Sequence, residues 1–363
     1  QAVILAAPTG SGKTVITAAL IEEILTGSDR IAAEPDAVFL WLSDQPMLNE
    51  QSKKRIASAS SKLGNNDLVI VDSDFDRETF AGGKLYFLNT QKLGKDKLLT
   101  SAKGDKRTYT IWETISNTAK ANADRFYLII DEAHRGTKIS RNDEANRLTV
   151  MQKFVKGSAG EIPPIDLILG VSATPQRFAA LIDGETNRTP RRCEVNPLDV
   201  RASGLLKDRI MVFHPTADYP TDWTMLKAAV HQWKRMGETW LNYTQAQSLP
   251  VVQPALIVQV EDGSSEGLSR TDLDKLIETI EGETGPLHPH EIAHCFEHDA
   301  PLTAHGVLIR KIDPSRIQEE TGVRFVLFKM ALTTGWDCPR AEVMMSFRRA
   351  QDHTLIAQLI GRM

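Results

Sequence analysis

Cysteine is scarce in this sequence: Cys193, Cys295 and Cys338 are the only three in 363 residues. An odd number so widely spaced excludes a disulfide framework and suits a reducing, cytoplasmic setting. Long apolar runs are missing too: no stretch reaches the ~18 residues of a membrane-spanning helix. The first residues lack the basic region, apolar region and cleavage site of a secretory leader. Neither sign of charge dominates. Lys and Arg number 43 against 47 Asp and Glu, a formal net charge of −4. That speaks against a protein that coats nucleic acid over its whole surface, but not against a local basic groove, because steering depends on how charge is distributed. Short-period repeats are absent as well.

What is present is an alternation of strand and helix patterns over a length that predicts two or three domains. In the first half the apolar strand candidates are residues 2–5, 37–42, 68–71, 85–88, 126–130 and 165–171, with helical patterns at 15–25 and 46–59 among them. Short, nearly continuous apolar strands separated by helices predict a parallel sheet covered on both faces. In such sheets ligands bind beyond the carboxyl ends of the strands. Residues 136–162 read as a polar surface excursion, and 183–200 lack a clear period. Pro215 and Pro220 mark a linker over 214–222. A long helix follows, over about 223–247, with Trp233 and Trp240 on one side. A second α/β series then runs through strands at 255–260, 307–309, 325–328 and 343–345, with helices at 271–280 and from 354.

The residues that follow these strands carry the chemistry. Ala6-Ala7-Pro8-Thr9-Gly10-Ser11-Gly12-Lys13-Thr14 lies between the first strand and the first helix. It fits the pattern GxxxxGKT with Ala7 in the first fixed position. Gly10 and Gly12 permit the backbone angles that bring N–H groups against phosphate oxygens, and the helix directs its positive end to the same point. Lys13 reaches β- and γ-phosphates, and Thr14 can ligate Mg²⁺. Asp131 and Glu132 stand directly after the strand at 126–130. Two such carboxylates divide naturally into one that holds Mg²⁺ and one that serves an attacking water. Ser172-Ala173-Thr174-Pro175 follows another strand. Its hydroxyls suit hydrogen bonds to a neighbouring carboxylate or His, or an ordinary ST-turn.

In this order the motifs resemble superfamily 2 helicases and translocases, the DEAD/DEAH-box group of P-loop NTPases. APTGSGKT is similar to motif I, Asp131-Glu132-Ala133-His134 to motif II and Ser172-Ala173-Thr174 to motif III. Leu88-Asn89-Thr90-Gln91-Lys92-Leu93 resembles motif Ib, while residues 41–51 match motif Ia and 255–260 motif IV loosely. Thr333-Thr334-Gly335-Trp336-Asp337-Cys338-Pro339 resembles motif V, and Gln358-Leu359-Ile360-Gly361-Arg362 motif VI. Gly-Trp-Asp-Cys-Pro, together with Ser203-Gly204-Leu205-Leu206-Lys207-Asp208, is similar to the motor of type III restriction enzyme Res subunits.

The resemblance implies two tandem RecA-like domains, at 1–213 and 223–363, joined by the linker at 214–222. It implies ATP and Mg²⁺ as cofactors, with Thr9, Gly10, Ser11, Gly12, Lys13 and Thr14 around the triphosphate and Thr14 and Asp131 on the metal. Glu132 would serve the water, and His134 would link the site to Ser172 and Thr174. Gly335 and Asp337 would sense nucleotide from the second domain, with Gln358 and the arginine finger Arg362 catalytic beside Lys13, Asp131 and Glu132. Thr90, Gln91, Thr333 and Thr334 would contact nucleic acid, DNA in preference to RNA. The implied activity is an ATP-hydrolysing DNA translocase or helicase without nuclease activity, from a restriction or defence enzyme. Further subunits or domains are expected partners, since the second Arg of motif VI would fall past Met363 and the second domain reads as truncated there. An RNA helicase and an ATP-binding switch that does not translocate are the competing expectations.

Two signals stand outside this scheme. His294, Cys295 and His298 have a spacing that could suit zinc, yet without a Cys-x-x-Cys pair a polar loop is the preferred reading. Trp336 is expected to pack beneath motif V rather than stack on a base.

Overall fold

The computed structural model describes residues 1–44, 46–94, 97–101, 107–131, 144–158, 162–183, 188–205, 207, 209–213, 222–263, 268–298, 302–330, 332, 336–348, 359–361 and 363. The chain divides into two compact units, Gln1–Asp208 and Arg209–Met363.

The first unit runs β1 (Ala2–Ala6), α1 (Lys13–Thr26), β2 (Val38–Ser43), α2 (Pro46–Ala59), β3 (Leu68–Ile70), β4 (Lys84–Asn89), α3 (Ile111–Ala121), β5 (Phe126–Asp131), α4 (Glu144–Lys156), β6 (Leu167–Ser172), α5 (Gln176–Asp183), β7 (Pro190–Glu194) and α6 (Pro197–Ala202). Its seven strands form one sheet in the order β3-β4-β2-β5-β6-β1-β7, and every pairing in it is parallel. Strand alternation explains why the strands look apolar throughout. Val38, Leu40 and Leu42 join Phe126, Leu128 and Ile130 on one face, with Trp112 and Ile115 of α3, Phe154 of α4 and Phe178 of α5. Phe39 and Trp41 join Phe87 and Ile129 on the other, against Ala18 and Ile21 of α1 and Ile56 of α2. Gly170 on β6 has a packing reason: a Cβ there would lie 2.1 Å from the Phe178 ring. Helix α3 is set by a capping box, in which Thr110 accepts from the Glu113 N–H and Glu113 accepts from the Thr110 N–H.

The second unit contains α7 (Asp222–Ala246), β8 (Ala255–Gln259), α8 (Leu273–Thr284), β9 (Ile292–His294), β10 (Leu302–Ala304), β11 (Val307–Lys311), β12 (Phe325–Phe328) and β13 (Ala341–Ser346). The sheet order is β10-β11-β9-β12-β8-β13, parallel except for the antiparallel pair of β10 and β11. Leu226, Val230 and Trp233 of α7 and Leu276, Ile277 and Ile280 of α8 cover one face. Ile317, Trp336, Cys338 and Leu359 pack against Ile257, Val326 and Phe328 on the other. Each unit therefore has an α/β architecture built on a largely parallel sheet, as expected.

Several segments differ from the expectations. The polar excursion at 136–162 contains α4, whose Phe154 and Val155 are in the core. The aperiodic stretch at 183–200 contains β7, an edge strand exposed at all five positions. With neither face buried it carries no apolar pattern to read. The supposed histidine-rich loop contains β9, where His294 is buried. Of the expected linker only Asp222 is among the described residues, as the first residue of α7. Among the described residues no helix is long and apolar enough to cross a membrane.

Candidate nucleotide-phosphate site

Three neighbouring strands of the first unit end together. Ala6 of β1 pairs in register with Ser172 of β6, and Asp131 of β5 pairs with Val171 of the same strand. The glycine-rich turn, the first carboxylate of the 131–134 segment and the Ser172–Thr174 turn thus leave the sheet at one edge. The Ala7 N–H donates to the Ser172 carbonyl at 3.1 Å, which ties the turn to β6. The turn is legible in its backbone angles. Gly10 and Gly12 have φ of 82° and 78°, the left-handed region where a side chain is strained. Gly12 is the N-cap of α1, and no side chain caps that helix. No acidic residue lies in its first turn either, so the positive end of α1 is not offset there. The Lys13 ammonium folds back onto the turn, donating to the Pro8 carbonyl at 3.0 Å and the Ala7 carbonyl at 3.3 Å. Thr17 donates to the Lys13 carbonyl at 2.9 Å and braces the same helical turn.

Ser11 is buried, and its hydroxyl has no hydrogen-bond partner among the described residues. An orphaned hydroxyl beside an uncapped helix N-terminus and a lysine ammonium is a donor set that suits phosphate oxygens. The residues present fit a bound triphosphate. Thr9 and Thr14, half-buried, flank them. Asp131 is the one described metal-ligand candidate besides Thr14, and among the described residues no cluster of metal-ligating side chains forms, the His294–His298 stretch included. Alternation on β9 explains the latter. Ile292 and Phe296 face one core while Ala293 and Cys295 face the other, so His294 and Cys295 point apart.

Ser172 is fully buried and its hydroxyl accepts the Thr174 N–H at 3.0 Å, which is the ST-turn geometry. Thr90 and Gln91 sit on a 3-10 turn, Thr90–Leu93, immediately after β4. The side chain of Asn89 accepts the Gln91 N–H at 2.6 Å. Lys92 is spent on the Val71 carbonyl and on Asp72. Gln91 is left exposed and Thr90 half-exposed on the same sheet edge. In the second unit Asp337 is exposed while Trp336 is completely buried, packed beneath its segment. Glu132, His134, Thr333, Thr334, Gly335, Gln358 and Arg362 lie outside the described residues.

Sequence reasoning gave three polar residues no individual role, though Asn89 lay in the 88–93 segment it named. Asn89 carried the usual signal of a capping residue two positions before its N–H donor. Gln259 at the end of β8 and Arg340 before β13 are buried. Nothing in a single sequence distinguishes a buried Gln or Arg from an exposed one.

Residues 1–177 match the family model described as the type III restriction enzyme, res subunit. The resemblance read from the motifs has an independent counterpart over that stretch. No curated protein matches the chain. Among solved structures it is similar to a fragment described as an HsdR subunit of a type I restriction enzyme from Vibrio vulnificus YJ016. That likeness has 15% sequence identity and a TM-score of 0.44, and covers 99% of this chain and 56% of that one. The chain thus spans little more than half the length of that structure.

Proposed function

We propose that the chain is an ATP-hydrolysing nucleic-acid motor module, of the DNA translocase or helicase type found in restriction and defence enzymes. The observation that carries this reading is the common edge of β1, β6 and β5. It sets an uncapped helix N-terminus, Lys13 and Asp131 at adjoining strand ends. In the proposed reaction Thr9, Gly10, Ser11 and Gly12 wrap the phosphates with backbone N–H groups and the Ser11 hydroxyl. Lys13 leaves the Pro8 and Ala7 carbonyls and moves to the β- and γ-phosphates. Thr14 and Asp131 hold Mg²⁺, which when bound neutralises charge on the phosphoryl oxygens. Glu132 orients the attacking water and takes its proton. His134 carries the state of the site to the Ser172–Thr174 turn. From the second unit Gly335 and Asp337 respond to the nucleotide, while Gln358 and the finger Arg362 stabilise the charge that develops on transfer.

Thr90, Gln91, Thr333 and Thr334 grip a phosphate backbone. Contacts of that kind position a strand without reading its sequence and weaken with salt. The module itself cleaves no strand, works in the cytoplasm and is joined to further domains or subunits.

Steady-state ATP hydrolysis with double-stranded DNA, single-stranded DNA or RNA added tests this reading. Stimulation by double-stranded DNA and not by RNA is expected. Stimulation by RNA alone would transfer the assignment to an RNA helicase, and ATP binding with no response to any nucleic acid would favour a switch. Glu132→Gln is expected to bind ATP and to lose turnover by on the order of 10²-fold or more.

A further inference from the structure

Gln259 is the last residue of β8, the strand between β12 and β13, and is 6% exposed. Its side-chain amide reaches both neighbours. Nε2 donates to the Lys329 carbonyl, directly after β12, at 2.8 Å. Oε1 accepts from the Ser346 hydroxyl, at the end of β13, at 2.9 Å. Main-chain bonds run alongside, from the Val260 N–H to the Phe328 carbonyl and from the Phe347 N–H to the Gln259 carbonyl. The Ser346 hydroxyl in turn accepts the Arg348 N–H at 3.2 Å. The Arg348 guanidinium meets Asp262, just beyond β8, at 2.8 Å.

The two segments held in this way are the ones that matter to the proposed motor. The chain continues from Lys329 to Thr333, Thr334 and Asp337, and from Ser346 towards Gln358 and Arg362. A primary amide donates on one side and accepts on the other, so Gln fits a gap between a carbonyl and a hydroxyl that Glu or Leu cannot bridge. Being buried, the amide is shielded from competing water, and losing it strands the Lys329 carbonyl.

We propose that Gln259 is a positioning residue that clamps the stems of the nucleic-acid-contacting and arginine-finger segments together, so that engagement of a strand by one is felt by the other. The proposal rests on the motor reading given above. Gln259 touches neither substrate nor reacting atoms and acts through Lys329 and Ser346.

The test measures ATP turnover of the full chain with and without double-stranded DNA, for wild type, Gln259→Leu, Gln259→Glu and the control Val258→Ala. Val258 is buried in the same strand but has no part in the clamp. The two Gln259 variants are expected to lose at least tenfold of the DNA-stimulated kcat, with basal turnover and KM for ATP within about twofold of wild type. Gln259→Glu is nearly isosteric, keeps an acceptor for Ser346 and sets a second acceptor against the Lys329 carbonyl, so the two variants break the clamp in different ways and their melting temperatures are compared with that of Val258→Ala. Val258→Ala should lower the melting temperature and keep its stimulation. Stimulation unchanged in both Gln259 variants overturns the clamp and leaves the motor standing, as does a loss that tracks melting temperature equally in all three variants. A wild type that no nucleic acid stimulates overturns the motor reading and the clamp with it.

Discussion

Replacing Arg340 with Met should destabilise the second unit by roughly 3–5 kcal/mol, the cost of leaving buried carbonyls without their charged donor. Arg340 is 3% exposed. Its guanidinium faces backbone carbonyls: Nε and Nη2 donate to Ile317 at 3.0 and 2.6 Å. Nη2 also reaches Glu320 at 3.0 Å and Val323 at 2.8 Å, and Nη1 reaches Gln253 at 3.1 Å. These carbonyls come from the segments that lead into β8 and β12, and Arg340 itself leads into β13. One side chain therefore ties the amino ends of three strands, while Gln259 ties their carboxyl ends. Burial lowers the Arg340 pKa from its ordinary value, but the group has no titration range near neutrality, so the charge stays.

The Met variant keeps the apolar stem and removes every donor. The Glu320 carbonyl retains the Val323 N–H at 2.9 Å. The carbonyls of Ile317 and Val323, both in buried residues, lose the guanidinium at about 1–3 kcal/mol for each group left buried and unpaired, while that of Gln253, an exposed residue, can turn to water. Relaxation brings the sum to the range stated. Urea unfolding followed by hydrogen exchange resolves peptides of the two units. Exchange free energies should fall by that amount across 255–345 and stay unchanged in 2–194. A loss below about 1 kcal/mol would mean that the carbonyls are readily hydrated, and would refute the reasoning.

His294 predicts a pH dependence. Its Nδ1 accepts the Phe296 N–H at 3.2 Å, and Nε2 has no partner among the described residues. Burial first, then the charges of Lys311 and His298, push its pKa down to about 4. An unfolded His titrates near 6.5, so the unfolded state binds the proton first. Stability is full above pH 6.5 and falls towards pH 4, by on the order of 3 kcal/mol. His294→Asn should flatten that loss in unfolding curves taken from pH 7.5 to 4. Asn89→Ala removes the cap of the Thr90–Leu93 turn, costs about 1 kcal/mol, and should weaken nucleic-acid binding while ATP affinity holds. Gly170→Ala forces the Phe178 ring to move and should cost about 1–3 kcal/mol in urea unfolding.

How far the fold could be read depended on burial. β2, β4 and β5 are covered on both faces and announced themselves as apolar runs, and Gly10, Gly12 and Lys13 announced the turn. β7 buries nothing, and β9 has only three residues within a polar stretch, so neither had a pattern to offer. α4 was hidden because its buried positions sit at the end of a charged segment. At the candidate site the sequence expected the residues after β1, β5 and β6 to share one sheet edge, and parallel pairing does end those three strands together. The sequence could not show that Ser172 spends its hydroxyl on the Thr174 N–H, nor that Asn89, Gln259 and Arg340 are buried. Hydrogen bonds between segments far apart in sequence leave no local trace.

Calorimetric titration of ATP with Mg²⁺ into wild type and Lys13→Ala tests the central claim, that the turn between β1 and α1 holds a nucleoside triphosphate. Lys13 donates to the Ala7 and Pro8 carbonyls of its own turn, and the melting temperatures of the two proteins report whether the fold survives the change. Saturable binding by wild type that falls at least tenfold in the variant is the predicted result. Equal affinity in the two proteins, with their melting temperatures matched, would contradict it.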